Sequence, residues 1–134
     1  MTVIVCTDSR GGMLFLGRRV SRDREIIADI AAMGKPVLCH SFSEKYLRTT
    51  PLAHTVCDTL LTDAAPEDIC FVEHLPLAPY LSRIDRLIVY NFGEPYPFDY
   101  ALDITPRNVG FRLSDTREIV GYSHKTILKE VYEK

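Results

Sequence analysis

Ser21-Arg22-Asp23-Arg24-Glu25-Ile26-Ile27-Ala28-Asp29-Ile30-Ala31-Ala32-Met33, running through Gly34-Lys35 into Pro36-Val37-Leu38-Cys39, decides the fold. It predicts a helix followed directly by a strand. Ile26, Ile27, Ile30, Ala31 and Met33 recur at the i, i+3/i+4 spacing of one buried face. Ser21 stands where it can cap the helix, and Asp23 falls in the first turn, where the dipole favours a negative charge. Gly34 followed by Pro36 ends the helix after Met33. Pro36–Cys39 then reads as a strand with its proline at the start, where a missing N–H does little harm.

Upstream, Val3-Ile4-Val5-Cys6 is a β-branched run expected to be a buried strand, broken by Gly11-Gly12. Downstream, Ser43–Arg48 is expected to form a short helix, stopped by Thr49-Thr50-Pro51. Thr55–Leu61 and Asp68–Val72 are expected strands, and Pro76–Ser82 one or two helical turns with Pro76 at a first helical position. Asp85–Asn91 is a strand of β-branched and aromatic residues. Phe92-Gly93-Glu94-Pro95-Tyr96-Pro97-Phe98 is dense in turn formers. Phe111–Tyr122 and His124–Glu133 read as two long strands joined by a tight turn. The whole predicts one domain over residues 1–134: an α/β, mixed and mainly parallel sheet with flanking helices and a C-terminal antiparallel strand pair.

The 134 residues suit a single core. Apolar residues at 46% and charged residues at 25% are ordinary globular values. A net charge of −2 leaves no electrostatic footprint for nucleic acid or an anionic membrane. Runs such as Leu87-Ile88-Val89-Tyr90 fall far short of the roughly 20 apolar residues of a membrane span. The N-terminus lacks a basic region and soon reaches Asp8, unlike a signal peptide. Cys6, Cys39, Cys57 and Cys70, three of them in apolar surroundings, read as reduced core thiols of a cytoplasmic protein. The expected partner is a small-molecule ligand or another protein, with no nucleic acid and no membrane.

Three stretches carry the outline of a known chemistry. Gly12-x4-Gly17-Arg18-Arg19 has a P-loop outline, but Met13-Leu14-Phe15-Leu16 is too apolar to cradle phosphate and no Ser or Thr follows, so a packed loop or short strand is expected. His54-x2-Cys57 and Cys70-x3-His74 have zinc-like spacing in a scrambled order. Residues three apart on a strand point to opposite faces, so no metal site is expected there. Ser, His and Asp occur without a G-x-S-x-G elbow, and Cys39-His40 would diverge on a strand, so no nucleophilic site is expected.

The order of segments resembles dihydrofolate reductase. The resembling pieces are Val3–Cys6, the helix running into Met33-Gly34-Lys35-Pro36-Val37-Leu38, Ile69–Val72, Leu81–Phe92, the proline-rich loop with Phe98, and Leu128–Lys134. The resemblance covers most of the chain in layout. It is specific in sequence only around Met33–Leu38, Asp85–Val89 and the last strand. It implies hydride transfer from NADPH to dihydrofolate, with a carboxylate on the first helix holding the pterin and the ligand lying against Val5, Cys6, Ala28, Leu47 and Phe71.

The positions that would carry this chemistry depart from the family's pattern. The carboxylate falls on Arg24, between Asp23 and Glu25, and neighbours on a helix point about 100° apart. The family's Gly-Arg-x-Thr reads His40-Ser41-Phe42-Ser43, so only Ser43 keeps its hydroxyl. The glycine pair that admits the cofactor reads Val72-Glu73, which should block and repel a pyrophosphate. The resemblance therefore implies a divergent member that has lost the reductase reaction and binds a small anionic or pterin-like ligand or a protein partner. The alternative is a working NADPH-dependent reductase with Asp23 or Glu25 as the acid. Arg24 itself is expected to pair with Glu73, to face an open pocket, or to point to solvent with the register shifted by one.

Overall fold

The computed structural model describes residues 1–49 and 51–134. Its centre is a seven-stranded sheet, and the strands at its middle are those whose side chains are buried on both faces. The chain order is β1 Thr2–Thr7, β2 Gly12–Phe15, β3 Arg18–Arg19, α1 Arg24–Ala31, β4 Val37–Cys39, α2 Ser41–Leu47, β5 His54–Val56, α3 Leu60–Asp63, β6 Ile69–Phe71, β7 Arg86–Asn91, β8 Tyr100–Ala101, β9 Arg112–Val120 and β10 Thr126–Glu133. Short 3-10 helices occupy Ala78–Arg83 and Pro106–Val109. The large sheet runs β5-β4-β6-β1-β7-β10-β9. The pairs from β5 to β7 are parallel, and β10 lies antiparallel to both β7 and β9. The sheet is thus mixed and mainly parallel with an antiparallel C-terminal pair, as the sequence predicts, and β1 sits near its middle.

Period-2 alternation sorts the core into two layers. Val3, Val5, Leu87 and Val89 face one layer, with Leu60, Leu61, Leu77 and Ile84. Ile4, Ile88 and Tyr90 face the other, with Ile26, Ile27 and Ile30 of α1 and Tyr46 and Leu47 of α2. Full burial of each α1 isoleucine contributes about 1.5–3 kcal/mol. Asp29, on the same helix, accepts hydrogen bonds from the Tyr90 hydroxyl at 2.6 Å and Lys129 Nζ at 2.8 Å and pairs with Arg117, so one carboxylate ties α1 to three strands. The helix ends at Ala31, two residues short of the expected Met33, with Ala32 as its C-cap; Gly34, beyond it, takes φ 74°, a left-handed conformation that glycine adopts without penalty.

Several expectations change in detail. The helix begins at Arg24, and its cap is Asp23, whose Oδ1 accepts the Glu25 N–H at 2.9 Å; Ser21 lies outside it. The second helix spans Ser41–Leu47 with His40 as its cap, starting two residues earlier than Ser43. In the expected Thr49-Thr50-Pro51 stop, Thr50 lies outside the described residues. The expected strand Thr55–Leu61 is a strand only to Val56. Leu60 and Leu61 belong to α3 and reach the core from a helical turn. The Gly12–Phe15 segment pairs with β3 and β8 in a separate three-stranded sheet. Among the described residues, no helix is long and apolar enough to cross a membrane.

Candidate functional site

The C-terminal ends of the parallel strands converge on the segments that follow β1, β4 and β6, and three polar assemblies form there. At the start of α2 the freed N–H groups already have partners. Asp58 Oδ1 accepts the Ser41 N–H at 2.8 Å, and His40 Nδ1 accepts the Phe42 N–H at 2.9 Å. The His74 ring stacks on Phe42, with centroids 4.4 Å apart, and meets His40 edge-on at the same distance. Burial and the neighbouring His40 hold the His74 ring below its ordinary pKa, which keeps the pair from carrying two charges. Ser43, in the first turn of α2, is fully buried.

The second assembly follows β6. Val72 points into the core, and Glu73, buried after it, takes a two-pronged ion pair from Arg19, Nε to Oε2 at 2.7 Å and Nη2 to Oε1 at 2.9 Å. The Arg19 guanidinium lies 4.4 Å from the Tyr46 ring centroid. Burial, reinforced by Glu73, pushes the Cys6 thiol far up, which keeps it protonated.

The third assembly gathers around Asp23, which is 2% exposed. Its carboxylate accepts the N–H groups of Glu25, Tyr122, Ser123 and His124 and lies 2.8 Å from His124 Nδ1. A Cβ on Gly121 would stand 2.2 Å from the His124 carbonyl oxygen and 2.9 Å from Asp23 Oδ2, so only glycine lets this turn close. His124 Nε2 in turn lies 2.9 Å from Ser21 Oγ. Phe92 stacks on the imidazole with centroids 4.8 Å apart, and Tyr96 meets it edge-on.

Burial alone would raise the Asp23 pKa, but the Tyr122 N–H, the His124 ring and the other donors outweigh it and hold it at about 2. A depressed folded-state pKa stabilises the protein fully above the carboxyl's ordinary value, and the effect is lost as pH falls toward about 2. The contribution is about 2 kcal/mol. Urea unfolding from about pH 5 down to pH 2 should therefore show a loss of stability that Asp23→Asn lacks. The same pH dependence in both proteins would contradict an ionised Asp23.

Asp23 faces inward, while Arg24 is exposed, stacked 3.5 Å from the Tyr122 ring centroid and near the Glu25 carboxylate. Of the three expectations for Arg24, the pairing with Glu73 is overturned, because Arg19 takes that carboxylate; Arg24 is exposed at the rim of a cavity that Ile27, Tyr46 and Tyr122 also line. Val5, Leu47 and Phe71 are divided between the two core layers, Cys6 is half-buried against the layer that holds Leu47 and Phe71, and Ala28 is exposed. These five do not line one cavity. His54 bonds to Glu44, and Cys57 and His74 lie past the ends of their strands. Among the described residues, no three His, Cys, Asp or Glu side chains are grouped to hold a metal ion. Burial raises the thiols of Cys39 and Cys70 to about 11 and about 12. Sequence reasoning missed Ser21 and His124, which a hundred residues of chain separate; Ser123-His124 in the turn before the last strand was the available signal.

Beside these assemblies lies a cavity of about 560 Å³ lined by Arg18, Arg19, Ser21, Arg22, Phe42, Lys45 and Tyr46, among others. That volume is typical of a small-molecule site. Glu73 neutralises Arg19. Among the described residues Arg18, Arg22 and Lys45 form no ion pair, and no acid lines the cavity.

No family model and no curated protein matches the sequence. Among solved structures, a dihydrofolate reductase from Enterococcus faecalis complexed with NADP(H) and RAB-propyl matches with a TM-score of 0.68 at 9% identity, over 98% of this chain and 94% of that one. The chain has the fold of dihydrofolate reductase, an architecture shared at an identity too low to carry the site with it.

Proposed function

We propose that this protein uses the dihydrofolate reductase fold to bind a small anionic ligand and does not run NADPH-dependent reduction. The observation that carries the reading is the cavity between the β3 segment and α2, where Arg18, Arg22 and Lys45 surround the aromatic walls of Tyr46 and Phe42. Unpaired cations around a concave, partly apolar site favour a carboxylate or phosphate on an organic body.

The loss of the reductase reaction is supported by what occupies the positions that the sequence resemblance assigns to the cofactor. Asp58 fills the Ser41 N–H with a carboxylate, a negative charge where a phosphate would need to approach. Val72 and Glu73 bring a core side chain and a second, paired carboxylate. The alternative, a working reductase with Asp23 or Glu25 as acid, draws support from the burial of Asp23. Yet both Asp23 oxygens are engaged by the chain's own donors, and Glu25 neighbours the exposed Arg24.

Two measurements test this. Calorimetry with citrate as the probe should show saturable binding that weakens about tenfold or more in Arg22→Glu/Lys45→Glu, since two nearby charges change sign. Purified protein should not oxidise NADPH in the presence of dihydrofolate. Consumption that requires dihydrofolate and stops with an antifolate would overturn the reading.

A further inference from the structure

Ser21, His124 and Asp23 stand in the order and at the distances of an acyl-transfer triad. Ser21 Oγ lies 2.9 Å from His124 Nε2, and His124 Nδ1 lies 2.8 Å from Asp23 Oδ2. We infer that Ser21 is a nucleophile activated by His124, and that the protein hydrolyses esters whose acyl or alcohol part carries an anionic group. The substrate's charge rests on the cavity reading above; the nucleophile does not.

Each member has the environment its role needs. Asp23 is ionised, since four backbone N–H groups and the imidazole stabilise its charge. An anion at Nδ1 fixes the neutral ring in the tautomer that leaves a lone pair on Nε2. That lone pair accepts the Ser21 O–H. Phe92 and Tyr96 hold the ring plane, and Asp8, which accepts the Tyr96 N–H at 3.0 Å, anchors the loop that brings Tyr96 in. His124 is buried, whereas Ser21 is partly exposed and borders the cationic cavity, so the hydroxyl is the one atom group of the three that a substrate reaches. Ser21 and His124 are the catalytic residues, and Asp23 positions the ring.

The reaction balances with water as the only co-reactant. Ser21 Oγ bonds to the ester carbonyl carbon while its proton passes to His124 Nε2. Collapse of the tetrahedral adduct breaks the bond to the leaving alcohol, which takes that proton. Water attacks the acyl-serine by the same route, releasing the carboxylic acid and restoring the Ser21 hydroxyl. Arg18, Arg22 and Lys45 hold the substrate's anionic end against the rim.

A desthiobiotin fluorophosphonate, applied to the intact protein and mapped by mass spectrometry, reads the nucleophile without needing an anionic substrate. Ser21 should be modified, and His124→Gln should slow modification by about 100-fold or more, the usual worth of a general base. With 4-nitrophenyl hydrogen succinate, hydrolysis should vanish in Ser21→Ala, which should remain folded by circular dichroism. Asp23→Asn should lower kcat with little change in KM, a split that a merely structural role would not give. The anionic ester should exceed 4-nitrophenyl butyrate in kcat/KM about tenfold or more, and Arg22→Glu/Lys45→Glu should abolish that preference. Ser21 left unmodified in the folded protein, or modified equally fast in His124→Gln, would overturn the inference even if citrate binds. Modified Ser21 without a preference for the anionic ester would uphold the nucleophile and overturn the substrate charge.

Discussion

Asp23→Ala is expected to lower the free energy of unfolding by about 3–5 kcal/mol, the cost of leaving buried donors without an acceptor. The carboxylate satisfies donors on both sides of a junction, the first turn of α1 and the Tyr122–His124 turn, and water has little access to a residue 2% exposed. Because a domain of this kind is stable by only about 5–15 kcal/mol, the variant should unfold at far lower urea concentration. Ser21→Ala, which removes one hydrogen bond to the same network, should cost about 1 kcal/mol. A loss below about 1 kcal/mol in Asp23→Ala would mean that water replaces the carboxylate, contradicting the closed packing of the turn.

Arg19→Met should cost a similar amount for a different reason. Glu73 is 5% exposed and Arg19 is its ion-pair partner, so the single change leaves a buried carboxylate unpaired, a loss of about 3–5 kcal/mol. Replacing both residues, Arg19→Met with Glu73→Met, removes the charge together with its partner and fills the space with apolar atoms beside Tyr46. The double variant should recover most of the lost stability, because a buried ion pair is often matched by well-packed apolar side chains. Chemical unfolding of the two single variants and the double closes a thermodynamic cycle. A double variant whose loss equals the sum of the two single losses would show that the pair is not coupled.

The sheet was legible because alternation and β-branching act locally. Leu87-Ile88-Val89-Tyr90 and Val3-Ile4-Val5 place successive side chains in opposite core layers, and that pattern needs no knowledge of the partner strands. The start of α1 was less legible. Ser21 and Asp23 both suit a cap, and the choice is made by His124 and the Tyr122–His124 turn, which draw Ser21 outward and Asp23 inward. Leu60-Leu61 reads as strand from its neighbours, yet Thr59 and Asp63 form a turn of helix that delivers the same two leucines to the core. The candidate site was the least legible part. Its residues carry no spacing signature, since Ser21 and His124 meet only through the antiparallel return of β10 beside β7. The cationic cavity likewise joins the β3 segment to α2, two stretches that read separately as loop and helix.

The Asp23–His124 junction also sets a clock on the ribosome. Its hydrogen bonds span 99 to 101 residues of sequence. At the usual elongation rates of about 5–20 residues per second, Asp23 waits roughly 5–20 s for its partners to be made. During that interval Asp23 holds only the local bond to the Glu25 N–H, and Phe92 and Tyr96 arrive before the ring they will clamp. Contacts over such a separation come late in folding, because the entropy of closing the loop is lost before they can offset it. The serine therefore gains its activating base only once the two-stranded C-terminal return has docked, so the growing chain carries no formed triad while the rest of the sheet is being assembled.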